Sequence, residues 1–284
     1  MLILLTNDDG IYSPGLSAIE KSLRRLGDVV VVAPATEQSG VGHAITFLTP
    51  LSAKKVFIDE EHWGWAIDGT PADCVKIGIT QICSQKPDLV VSGINNGLNS
   101  GINVLYSGTV GAAVEAAFYG LNSFAVSLEH SEKDGFSRAA EIAVDLIEHV
   151  LESSNGSVGL YNINIPMSAL ESENPEMRVV PMDTNQYWNS FERRVAPSGK
   201  MYFWLVGRPM PTPGGKGIKP SSELTDIHAI SQGFVTLTPL GFDMTRHEAI
   251  APLRNLEKNF TPKPREGQEL PDKMPRLRTQ WMVE

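Results

Sequence analysis

Residues 2–34, LILLTNDDGIYSPGLSAIEKSLRRLGDVVVVAP, decide the fold. LILLT (2–6) is a short continuous apolar run, as expected of a strand buried on both faces. SPGLSAIEKSLRRLG reads as a helix with Ser13 as N-cap, Pro14 at the first helical position and Gly27 past the end. Its apolar residues Leu16, Ile19, Leu23 and Leu26 share one face. DVVVVAP (28–34) is a second β-branched strand, stopped by Pro34. Strand, helix and strand joined by short loops define a βαβ unit, which implies parallel strands and a right-handed crossover.

The same alternation continues. GTPADCVKIGITQIC predicts a helix with Thr70 as N-cap and Pro71 opening it, and DLVVSG (88–93) predicts the next strand. TVGAAVEAAFYG (109–120) reads as a helix, SFAVSLE (123–129) as a strand, FSRAAEIAVDLIEHVLE (136–152) as a helix and LYNINIP (160–166) as a strand. AITFL, KKVFI and WGWAI, within 44–68, alternate weakly and predict a small β excursion. The fold class is α/β: a Rossmann-like, doubly wound, mostly parallel sheet with a C-terminal hairpin or arm extension. The expected division is a Rossmann-like core over 1–184, an extension over 185–250 with a hairpin and short helix completing the core, and a proline-rich tail over 251–284. In the extension, KMYFWLVGRP (200–209) is strand-like, MPTPGGKGIKPSS (210–222) is a loop, TDIHAISQG suggests a short helix capped by Asp226, and FVTLTPL (234–240) suggests a strand. The tail cannot bury a core of its own, and Trp281 and Met282 suit an arm docked on a partner subunit.

Composition excludes several classes. A net charge of -9 opposes stable nucleic-acid binding, which needs a basic surface. Cys74 and Cys83 are the only 2 cysteines and lack zinc-ligand spacing. No apolar run approaches the ~20 residues of a membrane helix, and MLILLTNDDG lacks the basic start of a signal peptide. A cytoplasmic protein is expected.

In a parallel α/β sheet, ligands bind outside the carboxyl ends of the strands. Asp8 and Asp9 follow the first strand, Ser39 follows the second, and Asn95 and Asn96 follow DLVV. Two carboxylates, a hydroxyl and an amide carbonyl form an all-oxygen set suited to Mg²⁺ or Mn²⁺. A cation would also relieve the repulsion between the neighbouring aspartates, although Asp, Asn, Ser and Gly equally suit plain turns. Ser107, Gly108 and Thr109 precede a helix, where backbone N–H groups and the helix dipole favour an anion, and where Ser107 or Thr109 could equally be an ordinary cap. A metal beside an anion site points to phosphate chemistry. His43 could donate a proton near Ser39 or simply make a structural hydrogen bond, and capping accounts for Asp68 and Asp73. Two other phosphate folds lack their residues here: Gly10 stands where a haloacid-dehalogenase-like phosphatase needs its second aspartate, and DLVVSGIN has no receiver-domain phosphoacceptor. A nucleotide sensor without turnover shares nearly every feature with an enzyme.

LLTNDDGIYSPG, VVAPATEQSGVGHAIT, DGTPADCV, PDLVVSGINNGLN and YSGTVGAAVEAA, in this order, resemble the SurE family, the survival-protein-E nucleotidases. YNINIP and TDIHAISQGFVTLTPL extend the resemblance to about residue 245. It implies a divalent-metal-dependent phosphomonoesterase, a 5′-nucleotidase hydrolysing nucleoside 5′- and 3′-monophosphates, with one Mg²⁺ or Mn²⁺ per subunit. It assigns Asp8, Asp9, Ser39 and Asn95 to the metal and Ser107, Gly108 and Thr109 to the phosphate, with Asn96 beside them. Asp8 and Asp9 would be catalytic, Asp9 being the first choice to orient or deprotonate the attacking water. The resemblance also implies a homodimer or homotetramer exchanging C-terminal segments.

Overall fold

The computed structural model describes residues 1–130, 135–154, 156–185, 190–206, 224–257 and 260. Two compact units are present, Met1–Gln186 with Pro211–Gly241, and Tyr187–Met210 with Phe242–Glu284.

The first unit is a nine-stranded sheet between helices. In chain order its elements are β1 (Leu2–Thr6), α1 (Pro14–Leu23), β2 (Asp28–Pro34), β3 (Ala53–Ile58), β4 (Glu61–Ile67), α2 (Pro71–Ile77), β5 (Leu89–Asn96), α3 (Gly108–Phe118), β6 (Asn122–Leu128), α4 (Phe136–Ser153), β7 (Leu160–Ile165) and β8 (Met177–Val179). In the second unit, β9 (Ser190–Val195) pairs antiparallel with β10 (Met201–Val206). The chain then returns to the first unit for α5 (Asp226–Ser231) and β11 (Val235–Leu240), and α6 (His247–Arg254) follows in the second.

Strand order is β3-β4-β2-β1-β5-β6-β7-β11-β8. The run from β4 through β7 is parallel throughout, whereas β3 and β11 enter antiparallel. This is the expected Rossmann-like, mostly parallel sheet. From β1 the chain winds outward to β2, then crosses back to β5 on the other side, so the topological switch lies between β1 and β5. β1 is buried on both faces: Ile3 and Leu5 join the core beneath α1 and α4, and Leu4 joins the core beneath α2 and α3.

Local chemistry explains the elements. Ser13 accepts the Leu16 N–H at the start of α1, and Thr70 and Asp73 form a reciprocal capping box on α2. Gly10 takes φ +94 in the turn after β1, where a side chain would be strained. Some expectations need correction. Residues 44–48 form no strand, while β3 and β4 are not a separate excursion but the edge of the main sheet, β4 pairing with β2. α1 ends at Leu23, a turn short of Leu26, and β8 carries too few residues to show a period. Asp226 is the first residue of α5, and Thr225 occupies the cap position. The 210–222 loop, Trp281 and Met282 fall outside the described residues.

Gly15 lets the start of α1 touch the end of β5. A Cβ there would stand 2.1 Å from the Ile94 carbonyl oxygen and 3.1 Å from a Phe136 ring carbon. Helix propensity favours alanine over glycine by about 1 kcal/mol, but this overlap is with backbone and cannot relax locally. Gly15→Ala should therefore destabilise by about 1–3 kcal/mol, read as a lower melting temperature by circular dichroism. A variant as stable as the parent would show that α1 slides freely on the sheet.

Candidate functional site

A cleft of about 900 Å³ opens at the carboxyl ends of β1, β2 and β5. Asp8, Asp9, Ser39, Asn95, Asn96 and Ser107 all line it, drawn from three loops and the end of β5. Gly108 and Thr109 do not line it; they stand behind Asp8.

Asp8 is 5% exposed, and its Oδ1 accepts the Thr109 hydroxyl. Burial pushes its carboxyl above the ordinary range, against the side-chain and backbone hydrogen bonds from Thr109. Asp9 is half-buried and is pushed up to about 6, first by burial and further by the charges of Asp8 and Glu37, while the Asn96 N–H opposes the rise. That N–H donates to Asp9 Oδ2 at 3.0 Å. The turn between them is set by Asn7, whose buried amide donates to the Gly10 carbonyl at 3.0 Å and to Ser13 Oγ at 2.7 Å. Asn95 donates from Nδ2 to the Gly97 carbonyl at 2.6 Å, which leaves its carbonyl oxygen as the group without a bond among the described residues.

The Ser39 loop is irregular but moored. Gln38 N–H donates to the Asp8 carbonyl at 2.7 Å, and Gly42 N–H to the Tyr106 carbonyl at 2.9 Å. Ser39 itself is exposed and donates to Glu37, an acid that the strand-end reasoning passed over. Further along, Thr70 Oγ1 donates to the Ala44 carbonyl, and Thr46 N–H to both Asp73 oxygens. His43 does not line the cleft. Its Nε2 meets Glu115 Oε2 at 2.7 Å, and Lys76 Nζ donates to Glu115 Oε1 at 2.8 Å. Burial would raise the Glu115 carboxyl, but these two partners outweigh it and hold it below its ordinary value. His43 is thus an anchor of the loop and not a proton donor beside Ser39. The signal for it was the lone acid in GAAVEAAF, an otherwise apolar helix.

At the start of α3, Ser107 Oγ accepts the Val110 N–H at 3.1 Å as the N-cap. A serine in this role still has its O–H proton to donate outward. The cap and anion readings are compatible at this residue, since Ser107 both caps α3 and lines the cleft.

Sheet order, switch point and strand-end residues define a Rossmann-like α/β protein whose strand-end cleft combines adjacent carboxylates with the N-cap serine of a helix. Residues 3–189 match the family described as survival protein SurE. A relative from Rhodopirellula baltica named 5′-nucleotidase SurE is 50% identical over 256 residues, spanning 90% of this chain and 98% of its own. A relative of the same name from Alkaliphilus metalliredigens is 42% identical over 258 residues, with 90% and 98% covered. The crystal structure of the SurE protein from Aquifex aeolicus superposes with a TM-score of 0.75 at 36% identity, over 90% of this chain and 100% of that one. The chain belongs to the SurE family.

The raised carboxyl of Asp9 makes a stability prediction for the protein in buffer free of divalent cations. The unfolded chain ionises this aspartate near its ordinary 3.8, and the folded chain only near 6. Folding therefore takes up a proton between those values, stability falls as pH rises through them, and the full penalty stands above about 6. Asp9→Asn removes that penalty. With solvent screening at this half-buried position, the variant should gain about 1–2 kcal/mol at pH 7.5, and the gain should shrink as the pH falls towards 4. Scanning calorimetry at both pH values checks this, and a gain independent of pH would refute it.

Proposed function

We propose that the protein is a divalent-metal-dependent phosphomonoesterase, a 5′-nucleotidase that hydrolyses nucleoside 5′- and 3′-monophosphates. The observation that carries the reading is the convergence of Asp8, Asp9, Ser39 and Asn95 in one cleft beside the Ser107-capped start of α3. It is supported by the 50% identity to a protein named 5′-nucleotidase SurE.

The donor set fits one hard cation. Among the described residues no three His, Cys, Asp or Glu side chains gather as metal ligands, so a cation here would rest on Asp8 and Asp9 with the neutral oxygens of Ser39 and Asn95. Two acids held above their ordinary range by burial are the environment that a cation would relieve. When bound, Mg²⁺ or Mn²⁺ supplies a Lewis acid that neutralises phosphate charge and activates water. The chain's own residues do the rest. Asp8, fixed by Thr109, holds its carboxylate in place. Asp9, more exposed to the cleft, orients the attacking water and takes its proton. Ser107 and Asn96 donate to phosphate oxygens as charge builds in the transition state. The reading places the protein in the cytoplasm, where Cys74 and Cys83 remain free thiols.

We also read the second unit as an oligomerisation arm. Phe191, Phe203, Trp204 and Leu205 on β9 and β10 are 53–67% exposed, and an isolated two-stranded hairpin is marginal in water. A second copy covering it gives a homodimer or homotetramer. Phe203→Asp combined with Leu205→Asp should lower the mass measured by light scattering. An unchanged mass would move the subunit interface to the α/β unit.

The central test is phosphate release from nucleoside monophosphates with Mn²⁺, Mg²⁺ or chelator. Activity should vanish with chelator and return with either cation; full activity in excess EDTA would overturn the metal. Asp8→Asn and Asn95→Ala should lose most turnover. Ser107→Ala should weaken binding by only ~0.5–1.5 kcal/mol, because it removes a single hydroxyl donor. Gly108→Val should cost more, since even a Cβ would stand 2.9 Å from Asp8 Cβ and displace that carboxylate.

A further inference from the structure

β7 reads LYNINI, and the strand is buried apart from a half-buried Tyr161, yet two of the three residues on the Leu160 face are asparagines. Asn162 and Asn164 are both 0% exposed. Burying an amide costs free energy unless it is hydrogen-bonded, and a neighbouring strand pair satisfies only the backbone. Their amides instead reach out of the sheet to one residue, Asn99, in the long connection from β5 to α3, the Asn162 Oδ1 alone finding no partner among the described residues.

Asn164 grips the main chain of Asn99 from both sides. Its Oδ1 accepts the Asn99 N–H at 2.8 Å, and its Nδ2 donates to the Asn99 carbonyl at 3.0 Å. Asn162 Nδ2 donates to the same carbonyl at 2.7 Å, and the Asn99 side chain donates to Ser127 Oγ at 2.9 Å. Two residues on, the Gly101 N–H donates to Asp226 Oδ2 at 2.7 Å. Gly101 is in the left-handed region at φ +56, and Asp226 is 0% exposed. The other oxygen of Asp226 accepts the N–H groups of Asp183 and Ile227, so this carboxylate ties three backbone segments together.

The segment held in this way is residues 97–107. It is longer than the usual 2–6 residues of a strand-to-helix connection in such folds, and its one regular piece is a 3₁₀ turn, Gly101–Leu105. It carries Asn99, Asn103, Tyr106 and Ser107 along the wall of the cleft. Donors to a phosphate stabilise it best when they are fixed beforehand. We propose that Asn164, with Asn162, and Asp226 are positioning residues that clamp the backbone of Asn99 and Gly101 and so fix where Ser107 and the start of α3 meet a phosphate. They touch neither substrate nor cation. The proposal rests on the phosphate-site reading above and assigns its support to elements from the C-terminal half of the unit.

The test uses the full-length, Mn²⁺-loaded protein with inorganic phosphate as the probe, followed by calorimetry. Asn164→Ala should raise the phosphate dissociation constant about tenfold, the factor for loss of a hydrogen-bonded clamp. Mn²⁺ affinity, titrated separately, should fall clearly less than phosphate affinity, within about threefold, because Asp8, Asp9 and Ser39 lie on other loops and only Asn95, bonded to the Gly97 carbonyl, adjoins the clamped segment. Asp226→Asn, which keeps the shape and loses one acceptor, should raise the phosphate constant about threefold. It serves as the second reading if Asn164→Ala does not fold. Thr236→Val is the control: it is equally buried on neighbouring β11, its hydroxyl finds no partner among the described residues, and it makes no bond to the loop. It should leave both affinities unchanged. Unchanged phosphate affinity in a folded Asn164→Ala or Asp226→Asn protein overturns the clamp, as does a loss of Mn²⁺ affinity matching the loss of phosphate affinity. If the parent binds phosphate but hydrolyses no nucleotide, the enzymatic reading fails, while weakened phosphate binding in the variants still supports the clamp.

Discussion

Two carboxylates one peptide apart, at the end of a strand buried on both faces, repel each other in a setting that already disfavours charge. The contacts that Asp8 and Asp9 make fasten three different segments to them. Thr109 brings the start of α3 to Asp8, the Asn96 N–H brings the end of β5 to Asp9, and the Asp8 carbonyl takes the Gln38 N–H from the loop after β2. The three walls of the cleft are therefore fixed to its floor by these same two aspartates. Such an arrangement keeps two neighbouring carboxylates at an electrostatic cost that a bound cation would lower, which is why the proposed function places one there.

The sequence shows some of this directly and hides the rest for physical reasons. β1, α1 and β2 were legible because a doubly buried strand is continuously apolar and Ser13 with Pro14 marks a helix start without tertiary help. β3 and β4 read poorly because they form the sheet edge, where one face is exposed and side chains such as Lys54, Lys55 and Glu61 blur the alternation. The strand-end rule located Asp8, Asp9, Ser39 and Asn95 because topology alone brings those ends together. The supporting contacts are another matter. His43 meets Glu115 across 72 residues and Gly101 meets Asp226 across 125, and no local periodicity encodes pairs so distant. What the sequence does carry is the anomaly on one side of each pair: an acid in an apolar helix, or asparagines alternating through a buried strand.

Thr109 and Gly108 show how a correct motif can hide a different use. The loop before α3 has the composition of an anion cradle, yet in the fold only Ser107 of the three faces the cleft. Thr109 is fully buried and serves Asp8, and Gly108 is glycine because Asp8 and Pro71 leave no room for a Cβ. The helix start and the Asp8-bearing end of β1 are thus one packed unit, so substitutions meant to probe phosphate contact at these two positions act first on the carboxylate.

That packing has a further source in the least polar residues of the site. α3 reads GTVGAAVEAAF, and Ala112, Ala113 and Ala116 are fully buried. A Cβ on Gly111 would stand 2.7 Å from the Gly42 carbonyl oxygen, so the loop bearing Ser39 lies directly on the helix backbone. Beneath the helix, Ser123, Ala125 and Ser127 of β6 keep the sheet surface low. Larger side chains in any of these places would lift α3, and with it Ser107 and Thr109, away from Asp8. Small residues set the distances, and polar pairs hold them. The reach of a hydroxyl to a carboxylate, on which the charge balance of the cleft depends, is therefore decided by glycines and alanines that touch neither.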